Sequence, residues 1–134
     1  MNDPDKPPYT LIFEERANYL YARIEAASLT RRDALRYIRE VADKTAELGC
    51  DRVLIERDIA TVFARADTYF LAEKFTEMMR GIRVAWVNLH PAHDESIKFA
   101  LLVGNNRGAI SDVHPSIEEA EKWLMSGSGD LSAA

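Results

Sequence analysis

The densest group of side chains able to do chemistry is His90-Pro91-Ala92-His93-Asp94-Glu95, where two imidazoles three residues apart stand beside two carboxylates. Such a set can reach one divalent ion at a helix start. A protein zinc site, however, takes three or four convergent ligands, and the positive end of a helix opposes a cation. No third partner is fixed by spacing, so these residues read as loop and cap residues, and no metal or cofactor is expected. For nucleophilic chemistry the chain offers Cys50, Ser28, Ser96, Ser111, Thr61 and Thr68 with three histidines, none in a recognisable elbow. Cys50 follows Gly49 at a helix C-terminus, where the negative dipole end raises a thiol pKa, which marks a structural cysteine. There is no Gly-x-Gly-x-x-Gly and no Walker sequence, which removes the commonest nucleotide sites. An enzyme is not expected.

Two surface patterns remain. Arg32, Arg36 and Arg39 recur at helical spacing with Asp33, Glu40 and Asp43 among them, as on a solvated helix face. Tyr19, Tyr21, Phe63, Tyr69, Phe70 and Trp86 form an aromatic set, some of it opposite the core side of its elements. Exposed together, these rings would mark a partner or ligand surface; covered, they would be sheet packing under a helix.

The elements that position these residues follow from apolar spacing. Leu11-Ile12-Phe13 is a short strand, Ala17-Asn18 a tight hairpin link, and Tyr19 to Glu25 a strand with Leu20, Ala22 and Ile24 on its core face and Tyr19, Tyr21, Arg23 and Glu25 on a wetter one. Thr30 caps a helix whose Leu35, Ile38, Val41, Ala42, Thr45 and Leu48 share a stripe, with Gly49 as its left-handed C-terminal residue. Val53-Leu54-Ile55 reads as a central strand that Glu56-Arg57-Asp58 carries out to water. Ile59 to Ala66 reads as a loop, and a second helix starts at Asp67 or Thr68 and runs to Arg80, with Gly81 closing it. Val84-Ala85-Trp86-Val87 is a strand ended by His90-Pro91, Asp94 to Val103 a helix, and Ala109 to Val113 a short strand. Ser116 and Glu119 form a capping box for a last helix with Ile117, Ala120, Trp123 and Leu124 inward. The order is ββαβαβαβα: an α/β mixed sheet with helices packed on it.

Length and composition agree with one domain. A chain of 134 residues buries roughly 68% of its unfolded surface, enough for one core. With 47% hydrophobic and 29% charged residues it is ordinary globular material. Seventeen Lys and Arg against 22 Asp and Glu give a net charge of -5, which opposes steering toward nucleic acid or an anionic membrane surface. One cysteine excludes an intrachain disulfide, and neither an apolar signal region nor a spanning stretch occurs, so the cytoplasm is the simplest location. The Pro-rich residues 1–8 and the Ser/Gly/Ala residues 126–134 are expected to be loose ends around a domain over 9–125.

Phe13-Glu14-Glu15-Arg16 with Tyr19-Leu20-Tyr21, Val53-Leu54-Ile55-Glu56, Val84-Ala85-Trp86-Val87, Asn106-Arg107-Gly108, and the terminal Glu-Glu-Ala-Glu-Lys-Trp-Leu of Glu118 to Leu124 stand in this order. Together they resemble the STAS domain, shared by sulfate transporters and anti-sigma-factor antagonists, and more closely the small bacterial STAS-like (SpoIIAA-like) proteins. In antagonists the resemblance implies a regulatory hydroxyl at the start of the helix after the third strand. Here that stretch is Asp67-Thr68-Tyr69-Phe70, with Thr68 in the phosphoacceptor place and Tyr69 and Phe70 where the family has small residues. A phosphate there would meet free backbone N–H groups; alternatively Asp67 and Thr68 simply cap the helix. The resemblance implies a non-enzymatic regulatory module with a protein partner, docked where Glu56 and Asp58 end the third strand, through Phe63 to Asp67 and Thr68. The alternative is a small apolar ligand or lipid in a pocket lined by Phe63, Tyr69, Phe70 and Trp86. The oligomeric state is not set by these features.

Overall fold

The computed structural model describes residues 8–133, with side chains through Ser126; of the N-terminal segment expected to be loose, residues 1–7 lie outside the described residues. The elements are β1 (Thr10–Glu15), β2 (Leu20–Ala26), α1 (Arg31–Leu48), β3 (Arg52–Ile59), α2 (Arg65–Met78), β4 (Arg83–Asn88), a 3-10 turn (Pro91–His93), α3 (Asp94–Asn105), β5 (Ile110–His114) and α4 (Ile117–Ala133). The five strands stand side by side in chain order. β1 is antiparallel to β2, with Phe13 opposite Ala22, and the other pairs are parallel, with Ile55 opposite both Ala22 and Trp86. This is the α/β mixed sheet expected from the ββαβαβαβα order.

Strand order dictates where the helices go. Crossovers between parallel neighbours are right-handed, so a sheet built in one direction places every crossover helix on the same face. The large core accordingly joins Leu20, Ala22, Ile24, Val53, Ile55, Val84 and Trp86 of the sheet to α1 and α2 through Ala34, Ile38, Val41, Leu71 and Phe75. α3 closes against α2 so tightly at Gly104 that a Cβ there would sit 2.9 Å from Thr76 Oγ1. The opposite face would be bare but for α4, which returns over it and buries Ala120 and Leu124 against Tyr19, Tyr21, Leu54, Ala85 and Val87.

Local signals explain the helix ends that sequence locates well. Thr30 Oγ1 accepts the Asp33 backbone N–H at 3.1 Å, Gly49 closes α1 at φ 65°, and Ser116 Oγ accepts the Glu119 N–H at 3.2 Å before α4. Arg32, Arg36 and Arg39 lie on the exposed face of α1. Cys50 is half-buried, and burial together with Glu15 and Asp51 pushes its thiol pKa up.

Three expectations are corrected. Tyr19 and Tyr21 are buried under α4, not wet, their hydroxyls donating to Glu121 and, at 2.5 Å, to Glu56. β3 runs on to Ile59 and α2 begins at Arg65, which shortens the intervening loop to residues 60–64. The N-cap of α2 is Ala64, which has no side-chain acceptor, so the sequence holds no capping signal there and neither Asp67 nor Thr68 caps it. α4 is helical as far as Ala133.

Because α4 supplies half of a core and not a surface helix, Leu124→Ala, at a side chain with no exposure, is expected to destabilise the fold by about 2–5 kcal/mol, measured by urea unfolding. A loss near zero would mean that α4 does not hold the second face.

Candidate functional site

β3 organises the site because its pleat sends successive side chains to opposite faces. Glu56 and Asp58 emerge on the α4 side, beyond the end of that helix's footprint, while Arg57 shares the α1–α2 side with Val53, Ile55 and Ile59. One polar tripeptide therefore feeds two different places.

On the first, Arg23 reaches across from β2 and donates to Glu56 Oε1 at 2.8 Å and to Asp58 Oδ2 at 3.2 Å. His90 Nε2 lies 2.8 Å from Asp58 Oδ1 and its ring stacks on His93, 5.4 Å between centres. Burial first, and then its bond to Glu56, push the pKa of the Tyr21 hydroxyl up to about 12. Asn88 Nδ2 donates to the His90 carbonyl and to Asp94 Oδ1, each at 2.8 Å, which holds the His90–Asp94 turn in place. The carboxyl edge of the sheet is thus a set of charges already bonded to one another. Val62 (61% exposed) and Leu89 (40%) stand out to solvent at the same edge.

On the second side a cavity of about 100 Å³ lies between the sheet and helices α1, α2 and α3. Most of its wall is apolar: Ile38, Leu71, Phe75, Ile97, Leu101 and the ring of Phe63. Arg57 lines it while only 6% exposed, its Nη1 donating to Asn88 Oδ1 at 3.3 Å. Burial lowers the pKa of this guanidinium, Tyr37 beside it partly opposing the shift, and burial raises that of Tyr37. Trp86 (9% exposed) and His93 also line the cavity; Trp86 Nε1 and His93 Nδ1 are buried with no hydrogen-bond partner among the described residues.

The residues singled out from sequence divide between these places and the outer surface. Phe63, Thr68 and Trp86 meet at the cavity. Glu56 and Asp58 are at the charged edge. Asp67 pairs with Arg31 at 3.6 Å, Phe70 lies under the Arg31 guanidinium at 4.5 Å from ring centre, and the exposed Tyr69 hydroxyl meets Arg107. The pocket expected from Phe63, Tyr69, Phe70 and Trp86 is therefore lined by only two of the four. Thr68 is 8% exposed, one turn inside α2, and its hydroxyl donates to the Ala64 carbonyl at 3.2 Å. A phosphoacceptor must present its hydroxyl to solvent, and this one faces the protein interior. His90 and His93 do not converge with a third metal-binding side chain: among the described residues there is no group of three or more His, Cys, Asp or Glu placed to hold an ion. Sequence reasoning missed Arg57, read as running out to water; the signal was the alternation Val53, Ile55, Arg57, Ile59, which puts it on the core face.

His93 gives a measurable consequence. Burial, then the Arg57 charge, then His90 hold its pKa below the ordinary imidazole value, with Asp94 opposing. The unfolded chain then binds the proton more readily, so stability is full above about pH 6.5 and falls as pH drops through that value toward the lowered folded one. His93→Gln is expected to flatten that part of the stability–pH curve relative to wild type in urea titrations at stepped pH; parallel curves would refute the assignment.

No protein-family model and no curated protein matches the chain. Among solved structures it is similar to an anti-sigma factor antagonist from Mycobacterium paratuberculosis, with a TM-score of 0.61 and 12% identity over 93% of this chain and 99% of that one. No helix among the described residues is long and apolar enough to cross a membrane. The five-stranded mixed sheet with three helices on one face and a fourth returning over the other is the STAS-like fold.

Proposed function

We propose that the chain is a non-enzymatic regulatory module that binds a protein partner at the carboxyl edge of its sheet. The observation that carries this reading is the pair of exposed aliphatic side chains there, Val62 and Leu89, set beside the fixed Arg23, Glu56, Asp58 and His90 network. Protein interfaces join an apolar centre to a polar rim, and side chains already held in place lose little freedom on docking. Asp67, Tyr69 and Phe70, in the first turns of α2 just after the Val62 loop, extend the rim. Polar groups satisfied by one another suit recognition better than proton transfer, which supports a binding role over catalysis. The structural neighbour is by its name an antagonist of an anti-sigma factor, a role exercised on another protein, and this supports the same class of function here. Thr68 enters as a cavity-lining residue, so docking in this reading does not depend on its phosphorylation.

A photoreactive group at position 62 identifies the partner by crosslinking, after which affinities are measured with purified proteins. The double variant Val62→Asp, Leu89→Asp is expected to bind at least about tenfold more weakly, as for apolar residues at an interface centre. Leu102→Asp, exposed near the C-terminal end of α3 and so far from this edge, should bind as wild type. Equal affinity of both folded variants would end the reading.

A further inference from the structure

The cavity poses an electrostatic problem that the charged edge does not. Arg57 is a permanently charged group out of water, and among the described residues no carboxylate pairs with it; Asp58, its neighbour in sequence, faces the other side and serves Arg23 and His90. A buried ion without a counter-ion is strongly disfavoured. Its fork of five donors meets one long bond to Asn88 and the adjacent Tyr37. The indole N–H of Trp86 and the Nδ1 of His93 add two more buried positions without a partner among the described residues, in side chains lining the same space.

We propose that this cavity binds a small monocarboxylic acid with a compact apolar body, its carboxylate on Arg57 and the Trp86 N–H and its body among Ile38, Phe63, Leu71 and Phe75. The polar groups dictate the head: guanidinium and indole are donors only, and their complement is an acceptor-only anion whose planar geometry fits the Arg fork. One buried positive charge is balanced by one negative charge, whereas a phosphate dianion would leave charge uncompensated. The walls and volume dictate the body, since an apolar cavity of roughly 150 Å³ holds benzene and this one, at about 100 Å³, has room only for a short aliphatic acid of about three or four carbons. Entry is past Val62, which both lines the cavity and reaches solvent from the irregular 60–64 loop. The site shares only Val62 with the docking edge, so failure of either leaves the other standing.

Propionate, butyrate and isobutyrate, with butyramide, butanol and inorganic phosphate as controls, are titrated into the full chain. Binding is followed by calorimetry and by the indole N–H resonances, assigned with Trp123→Phe. The acids should bind and shift the Trp86 resonance, with the controls at least about tenfold weaker, as expected from loss of a charge-assisted hydrogen bond or of the apolar contact. Arg57→Met should lose binding to a similar degree. Ala100→Leu, which fills the cavity and leaves Arg57 in place, should lose it as well, so the outcome does not hang on one variant's folding. Amide binding as tight as acid binding would overturn the carboxylate assignment, and phosphate matching butyrate would overturn the apolar body. No shift of Trp86 with any acid at millimolar concentration would mean that only water occupies the space.

Discussion

The right-handed sense of the crossovers is the constraint from which the rest follows. With each strand laid beside its predecessor, α1, α2 and α3 have one face of the sheet available to them, and they fill it. Three helices over five strands leave a seam, and the cavity sits where the three converge above the ends of β3 and β4. The other face is left to one helix, which cannot cover the carboxyl ends of the strands. Cavity and charged edge are two results of the same topological rule.

β3 converts that rule into chemistry. As the middle strand it is paired on both sides and covered on both faces, so its alternating side chains have no neutral ground: each is committed to one layer or the other. Glu56 and Asp58 find Tyr21, Arg23 and His90, and the resulting bonds are direct and short. Arg57, one residue away from each, finds Asn88 and Tyr37. A polar run that looks uniform in sequence becomes an ion network on one side and a lone cation on the other.

What could be read beforehand tracks how local its cause is. The α1 ends were legible because Thr30 and Gly49 act through bonds within a few residues, and the strands were legible because β-branched runs bounded by turns leave few alternatives. The start of α2 was not, since Ala64 offers no capping oxygen and the helix is held by tertiary contacts of Leu71 and Phe75. Tyr19 and Tyr21 looked wet because the helix that covers them lies about a hundred positions downstream, with the Tyr19–Glu121 bond spanning 102 residues. The cavity depends on three helices meeting at a seam, so only its outline, through Phe63, Thr68 and Trp86, was within reach of sequence, and its charged member was hidden by strand phase.

The position of α4 bears on how the chain matures during synthesis. Every strand and the first three helices are made before it, so a nascent chain that has completed its sheet still presents Leu54, Ala85 and Val87 to water on one side. Domains fold as units while synthesis proceeds from the N-terminus, and exposed apolar sheet surface is what chaperones retain and aggregates recruit. Emergence of α4 from the ribosome is therefore the event that turns an adhesive intermediate into a covered sheet, and this domain closes with its fourth helix.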